Sequence, residues 1–151
     1  MANTQAVCTS FKKELMTGHH ALGTTVVRAG TTVDTIKAAL FLASATINAA
    51  TTAYSTTGEV TGTNYTAGGV TVTNATAPNT SGTTAFWTPS ASITYSTVTL
   101  AVAFDCVLLY NSTQSDRAIC ANTFGSQTVT AGNFTLTMPT NDATTGLLRI
   151  A

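Results

Sequence analysis

The sequence predicts a mainly β protein, a single-domain antiparallel β-sandwich of jelly-roll-like character with one short N-terminal helix. Three observations predict it. Close to a quarter of the 151 residues are threonine, whose β-branched side chain fits a pleated strand and whose hydroxyl keeps an outer face wet. Short apolar runs recur between Gly, Pro, Asn, Ser and Asp from Val33 onward, the spacing of a sandwich or barrel. One stretch alone, before Gly18, carries its apolar residues at helical intervals. A chain of this length buries about 70% of the surface it exposes when unfolded, so one domain over residues 1–151 is expected, with the helix at about 3–18 and the sandwich at about 34–151.

Along the chain, Cys8, Phe11, Leu15 and Met16 form the helical stripe, with Asn3 or Thr4 available as N-cap and Gly18 as the stop. Lys12, Lys13 and Glu14 lie off that stripe and should face water. After a Gly/Thr-rich passage around Gly30, Ile36 to Ala43 is apolar at nearly every position and reads as a strand covered on both faces, with a short helix the alternative that the pattern alone leaves open. Further strands are expected at Gly69–Ala75, Thr83–Thr88, Ser92–Tyr95, Val98–Phe104, Cys106–Asn111, Arg117–Phe124, Gln127–Thr130, Phe134–Met138 and Leu147–Ile150. Val70 and Val72 alternate with Thr71 and Thr73, and Phe134, Leu136 and Met138 with Thr135 and Thr137, so each should have one dry and one wet face. Asn111 to Asp116 reads as a hairpin loop. Tyr54 to Gly69 should be a long ordered loop, loosened by Gly58, Gly62, Gly68 and Gly69 but anchored by Val60 and Tyr65, and loops of that length are commonly functional.

Charged residues make up 8% of the chain, against a usual level of about 25%. Six Lys+Arg balance six Asp+Glu, so no basic field exists to hold phosphates, and nucleic acid is not an expected partner. A surface with so little charge repels copies of itself weakly. Much of it should meet a partner, and homo-oligomers, dimers or trimers, are expected. No run approaches the roughly 20 apolar residues of a membrane helix, and the N-terminal residues place their charges after the apolar ones, the wrong order for a secretory signal. No membrane partner is therefore expected. Cys8, Cys106 and Cys120 are odd in number and too widely spaced for a zinc or redox motif, which favours buried free thiols.

Little in the chain offers chemistry. His19 and His20 are adjacent and point apart, so they cannot form a two-His metal face, and surface or capping roles fit them better. The acidic residues Glu14, Asp34, Glu59, Asp105, Asp116 and Asp142 contain no local pair and no calcium loop; Asp116 and Asp142 fit turns. Neither a nucleophile elbow nor a phosphate loop is present. The expectation is no enzyme: no catalytic residue, no metal ligand, no cofactor and no small-molecule substrate. The candidate functional residues are interface residues, Tyr54, Val60 and Tyr65 in the long loop and Phe86 and Trp87 before Pro89. Tryptophan is a favoured interface anchor, and the alternative for the Phe86-Trp87 pair is a core position at a strand end.

The run Tyr54-Ser-Thr-Thr-Gly-Glu-Val-Thr-Gly-Thr-Asn-Tyr-Thr-Ala-Gly-Gly69, with Leu109-Tyr-Asn111, Arg117-Ala118 and the ending Asn141-Asp-Ala-Thr-Thr-Gly-Leu-Leu-Arg-Ile-Ala151, resembles small virion structural proteins of tailed bacteriophages. Ser10-Phe-Lys-Lys-Glu-Leu15 fits the same group. The resemblance implies a decoration or cement protein, bound through the major capsid protein and copies of itself to the outside of the capsid. It places the chain on the virion after synthesis in the host cytoplasm, and it supplies no catalytic residue. The alternatives are a head-to-tail, tail or fibre component, or a receptor-binding adhesive module.

Overall fold

The computed structural model describes residues 2–16, 18–23 and 33–151. The passage around Gly30 lies outside them, as do the side chains of Lys12, Lys13 and Met16. Over the described residues the protein is mainly β, with two antiparallel sheets, one short N-terminal helix and no barrel closure. In chain order the elements are β1 (Ala6–Val7), α1 (Thr9–Met16), β2 (Ile36–Leu42), β3 (Val70–Thr71), β4 (Asn79–Ser81), β5 (Thr84–Trp87), β6 (Ile93–Asn111), β7 (Arg117–Leu136) and β8 (Leu148–Ile150). The larger sheet has the order β1-β7-β6-β2-β3 and the smaller one β4-β5-β8. Trp87 and Leu148 of the small sheet join the same buried cluster as Ile36, Leu40, Leu100, Leu108 and Ile119 of the large one. Each such large apolar side chain contributes about 1.5–3 kcal/mol on burial.

The helix is shorter than the sequence suggests, because the first residues are used otherwise. The Asn3 carboxamide donates to Leu42 O and Asp105 Oδ1 and accepts from Ile47 N at 2.9 Å, and Thr4 N donates to Ile47 O. Asn3 is therefore a pin between distant strands and not an N-cap. Ala6 and Val7 then pair with Ala121 and Cys120, which holds the chain extended until Thr9. The expected stop is present: Gly18 has φ +69°, its N–H reaches Leu15 O, and the His19 N–H reaches Glu14 O. That pair of bonds is the Schellman arrangement, which a glycine in the left-handed region completes without a Cβ clash.

Strand β2 is buried on both faces, with Ile36, Ala38, Ala39, Leu40 and Phe41 all in the core. It pairs with β6 along its full length and with β3 over two residues only. The rest of its outer edge is filled by the Tyr54–Gly69 loop, which is ordered: Leu42 N donates to Gly58 O, Val60 N to Leu40 O, and Leu40 N to the Tyr65 hydroxyl.

Strands expected as separate pieces are continuous. Ser92–Tyr95, Val98–Phe104 and Cys106–Asn111 lie within or next to β6, and Arg117–Phe124, Gln127–Thr130 and Phe134–Met138 largely make up β7. The polar interruptions between them are real but are taken up as bulges, with register shifts at Tyr95/Val98, Leu100/Phe104 and Phe104/Cys106 and left-handed Thr97 and Ala131. A bulge keeps the pairing and adds twist, where a turn would have ended the strand. The Asn111–Asp116 hairpin forms as expected: Asn111 Oδ1 accepts from Thr113 N and Gln114 N, and Ser115 and Asp116 take positive φ. Strand β4 (Asn79–Ser81) is fully exposed and has no apolar alternation to reveal it.

Candidate functional site

Two buried polar centres sit on the large sheet. The first lies beneath the long loop. Glu59 is 6% exposed; its Oε1 accepts from the Tyr65 hydroxyl and from Gly68 N, both at 2.8 Å, and its Oε2 accepts from the Tyr54 hydroxyl at 2.7 Å. The Tyr110 hydroxyl donates to Gly68 O and the Tyr95 hydroxyl to Ala38 O, each at 2.8 Å. Tyr54 stacks on Tyr110 with centroids 4.6 Å apart, and Tyr65 on Tyr95 at 5.9 Å. All four tyrosines of the chain meet here. Burial, followed by the Glu59 carboxyl, pushes the Tyr54 hydroxyl well above the ordinary tyrosine value. Burial likewise pushes Tyr65 up, helped by Glu59 and opposed by the Leu40 N–H. Burial first, then the fields of Asp116 and Glu59, pushes Tyr110 up to about 12. These hydroxyls are structural donors, protonated at any physiological pH.

Two glycines make this arrangement possible. A Cβ on Gly69 would stand 1.7 Å from Ala38 O, and one on Gly62 would stand 2.0 Å from Thr99 O. The run Gly58-Glu-Val-x-Gly-x-x-Tyr-x-x-Gly-Gly69 is thereby accounted for: its glycines permit close approach to β2 and β6, Val60 plugs the core at 2% exposure, Tyr65 satisfies Leu40 N, which β3 is too short to reach, and Glu59 satisfies Gly68 N within the loop.

The second centre lies where α1 meets the β6–β7 hairpin. The Schellman turn at Gly18 reverses the chain and returns His20 to the helix it has just left. His20 Nε2 lies 2.8 Å from Glu14 Oε2, and the Arg117 guanidinium donates to Glu14 Oε1. Asn111 Nδ2 lies 3.0 Å from His20 Nδ1 and 2.7 Å from Asp34 Oδ2. Asp34 Oδ2 also accepts from Ala21 N, and Gln114 Nε2 donates to Asp34 Oδ1. The His20 side chain is fully covered. Burial lowers its pKa below the ordinary histidine value, against the opposing pull of Glu14 and Asp34. Burial alone would raise Glu14, but hydrogen bonds and charges from His20 and Arg117 outweigh it and hold its carboxyl below the usual range. With His20 neutral, one assignment satisfies every partner: Nε2–H donates to Glu14, and Nδ1 accepts from Asn111. Both ring nitrogens are thus occupied by the protein.

This centre corrects two expectations. Glu14 does not face water; it is 5% exposed, because the end of α1 packs against β7 and a carboxyl there can meet Arg117. His20 is not a surface or capping residue, for the Schellman turn folds its ring inward. The signal in the sequence was Gly18 followed at once by two histidines, since a glycine-closed helix end brings the next residues back over the last turn.

The residues assigned to an interface lie within the protein's own packing. Val60, Phe86 and Trp87 are buried, and Tyr54 and Tyr65 are half-buried with their hydroxyls on Glu59. Trp87 Nε1 donates to Thr76 O at 2.9 Å, the satisfied core ring of the alternative reading. Asp142 holds its turn, with Oδ1 accepting from Thr144 N and Thr145 N. The three cysteines are buried free thiols. Among the described residues, no three His, Cys, Asp or Glu side chains stand close enough to hold a metal, and no helix is long and apolar enough to cross a membrane.

Among the described residues, β7 offers a long free edge outward. Strand β1 covers it only at Cys120 and Ala121, because the Asn3 pin pulls the N-terminal residues away toward Leu42 and Ile47. Among the described residues no strand pairs with that edge from Asn122 to Leu136. No charged residue occurs from Ala118 to Asn141. An open groove of about 480 Å³ adjoins the start of this edge, lined in part by Gln5, Val7, Asn122, Leu147 and Arg149. Comparison of the chain with family models, with curated proteins and with solved structures finds no match.

Proposed function

We propose that this chain is a structural protein of a tailed-bacteriophage particle, a head decoration or cement protein that binds the outside of the major capsid shell and stabilises it. The observation that carries this reading is the β7 edge. Exposed strand edges are normally guarded by lysine, proline or covering elements, and from Asn122 to Leu136 this one carries no charge and no proline. Its exposed residues are Gly125, Ser126, Gln127, Thr128, Thr130, Ala131, Asn133 and Thr135, which offer hydrogen bonds without charge to desolvate. An uncharged antiparallel edge is self-complementary about a two-fold axis, so copies of the chain can associate through it. The bulges divide it into short runs, which suits a contact that joins a few residues per copy and leaves the rest for the shell. Resemblance of the Tyr54–Gly69 run to small virion proteins supports the same reading. A protein that binds the assembled lattice better than its separated subunits stabilises that lattice by mass action.

Purified particles tested by quantitative gel should contain hundreds of copies, and particles lacking the protein should release genome at a lower temperature. A handful of copies per particle would make it a connector or fibre component instead. On the isolated protein, Ser126→Lys with Thr128→Lys should leave the fold intact by circular dichroism. Light scattering should show the substituted protein as a monomer where the native chain is a dimer.

A further inference from the structure

The second polar centre has more order in it than a buried ion pair needs. Asn111 Nδ2 carries two hydrogens, and both are committed: one to His20 Nδ1 at 3.0 Å, the other to Asp34 Oδ2 at 2.7 Å. Asn111 Oδ1 is committed as well, to the amides of Thr113 and Gln114 that close the hairpin. The carboxamide therefore cannot turn over. A flip would set oxygen against Asp34 Oδ2 and amide hydrogens against two backbone N–H groups. His20 Nδ1 is consequently held as an acceptor.

We infer that the Glu14–His20–Asn111–Asp34 array is a proton-operated latch, which fastens the turn from Gly18 to Leu22 to the end of the β6–β7 hairpin and opens when His20 Nδ1 takes a proton from solvent. A proton there faces two donors toward each other across 3.0 Å, and the ring must leave Asn111. Its departure leaves the turn held to the hairpin side chiefly by the Ala21 N–H, which donates to Asp34 Oδ2 at 2.7 Å. Cys8 and Phe11, 0% and 1% exposed, keep the start of α1 in the core, so what opens is the turn and the last residues of the helix. The sheet has no part in the array beyond Asn111 and Arg117 and stays folded.

The groups facing His20 pull in opposite directions. Glu14 on α1 and Asp34 just before β2 favour an imidazolium; His19 beside it and the donor face of Asn111 on β6 oppose it, and Arg117 on β7 neutralises Glu14 from the far side. Burial tips the balance toward the neutral ring. The pKa of the docked state therefore lies below that of the opened turn, where His20 is an ordinary histidine near 6.5. Docking is at full strength above about pH 6.5 and weakens as pH falls below it.

The test is amide hydrogen exchange on the full chain, corrected for intrinsic rates, at pH 7.5, 6.5 and 5.5. The amides of Gly18, His19 and Ala21 are compared with those of Leu108 and Ala121 in the sheet. Protection of the turn should fall between pH 7.5 and 5.5, by up to about tenfold since pH 5.5 lies one unit below the opened-state value, while the sheet amides hold steady. His20→Gln keeps one donor and one acceptor at similar spacing but cannot take a proton in this range, and its turn should be equally protected at all three values. Turn protection that ignores pH in the native chain overturns the inference, as does the same fall in His20→Gln or a parallel fall in the sheet. Should His20→Gln fail to fold, imidazole nitrogen shifts of the native chain decide. A neutral ring protonated at Nε2 at pH 7.5 supports the latch, and one protonated at Nδ1 sinks it.

Discussion

The Tyr65 hydroxyl stands 2.8 Å from Glu59 Oε1 while accepting the Leu40 N–H at 3.0 Å, so one side chain of the loop replaces a missing strand partner and passes the bond on to a buried carboxyl. Glu59→Ala would strand Gly68 N and two tyrosine hydroxyls. It should cost about 3 kcal/mol or more, since each unsatisfied buried group costs about 1–3 kcal/mol. Glu59→Gln keeps the shape and one acceptor, and the Tyr54 hydroxyl can rotate to accept, so its cost should be about 1 kcal/mol. Urea denaturation of both variants checks the ordering; equal losses would show that the charge and not the hydrogen bonding matters.

Three glycine substitutions separate crowding from backbone strain. Gly69→Ala meets Ala38 O at 1.7 Å with φ +69°, Gly82→Ala has φ +58° but open space, and Gly125→Ala has open space and no positive φ. The expected losses are about 3 kcal/mol or more, about 1 kcal/mol, and none or a slight gain, in that order. The midpoints of chemical denaturation should rank accordingly.

Glu14 supplies a second, more acidic dependence on pH. Its folded pKa lies below the ordinary value, so its contribution is complete above about pH 4.5 and is lost as pH falls through the folded value. At pH 7, Glu14→Gln should cost about 1–2 kcal/mol, a figure held down because the Arg117 side chain is 38% exposed and screened. The gap between variant and native chain should close in melts taken at progressively lower pH below 4.5; a gap that persists at pH 2 would contradict the assignment.

The thiols should be inert until the protein unfolds. Burial, aided by the charge of Glu14, pushes Cys8 up to about 11; burial first, then the charge of Asp105, pushes Cys106 to about 12, and burial, opposed by the Asn122 hydrogen bond, pushes Cys120 to about 12. At pH 8 the native chain should show almost no reaction with an aromatic disulfide reagent, and all three thiols should titrate in guanidinium.

Much of the fold was legible because its signals are local. Alternation marked Val70–Val72 and Phe134–Met138, continuous hydrophobicity marked β2, and Gly18 marked the end of the helix. What was not legible depended on partners far along the chain. Nothing near Asn3 announces that it will bind Asp105, so it reads as a cap. Glu14 looks solvent-facing until Arg117 is brought to it, and the breaks in β6 and β7 look like turns until a neighbouring strand shows that pairing continues past them. Tyr54, Val60 and Tyr65 stand out in the sequence because the loop is distinctive, and the structure gives that distinctiveness a reason internal to the chain: it closes the outer edge of β2.

The short strand β1 also sets an order of events. Ala6 and Val7 pair only with Ala121 and Cys120, and Glu14 meets its guanidinium only at Arg117. During synthesis Asn3 and Thr4 can meet Leu42 and Ile47 early, but β1 and Glu14 have no partner until most of the remainder has left the ribosome. The β6–β7 hairpin, whose strands are joined by a short turn, must therefore be in place before β1 and the end of α1 are fastened. Contacts between such distant positions slow folding, so the rate at which native structure appears should be governed by how quickly this leading segment finds its seat.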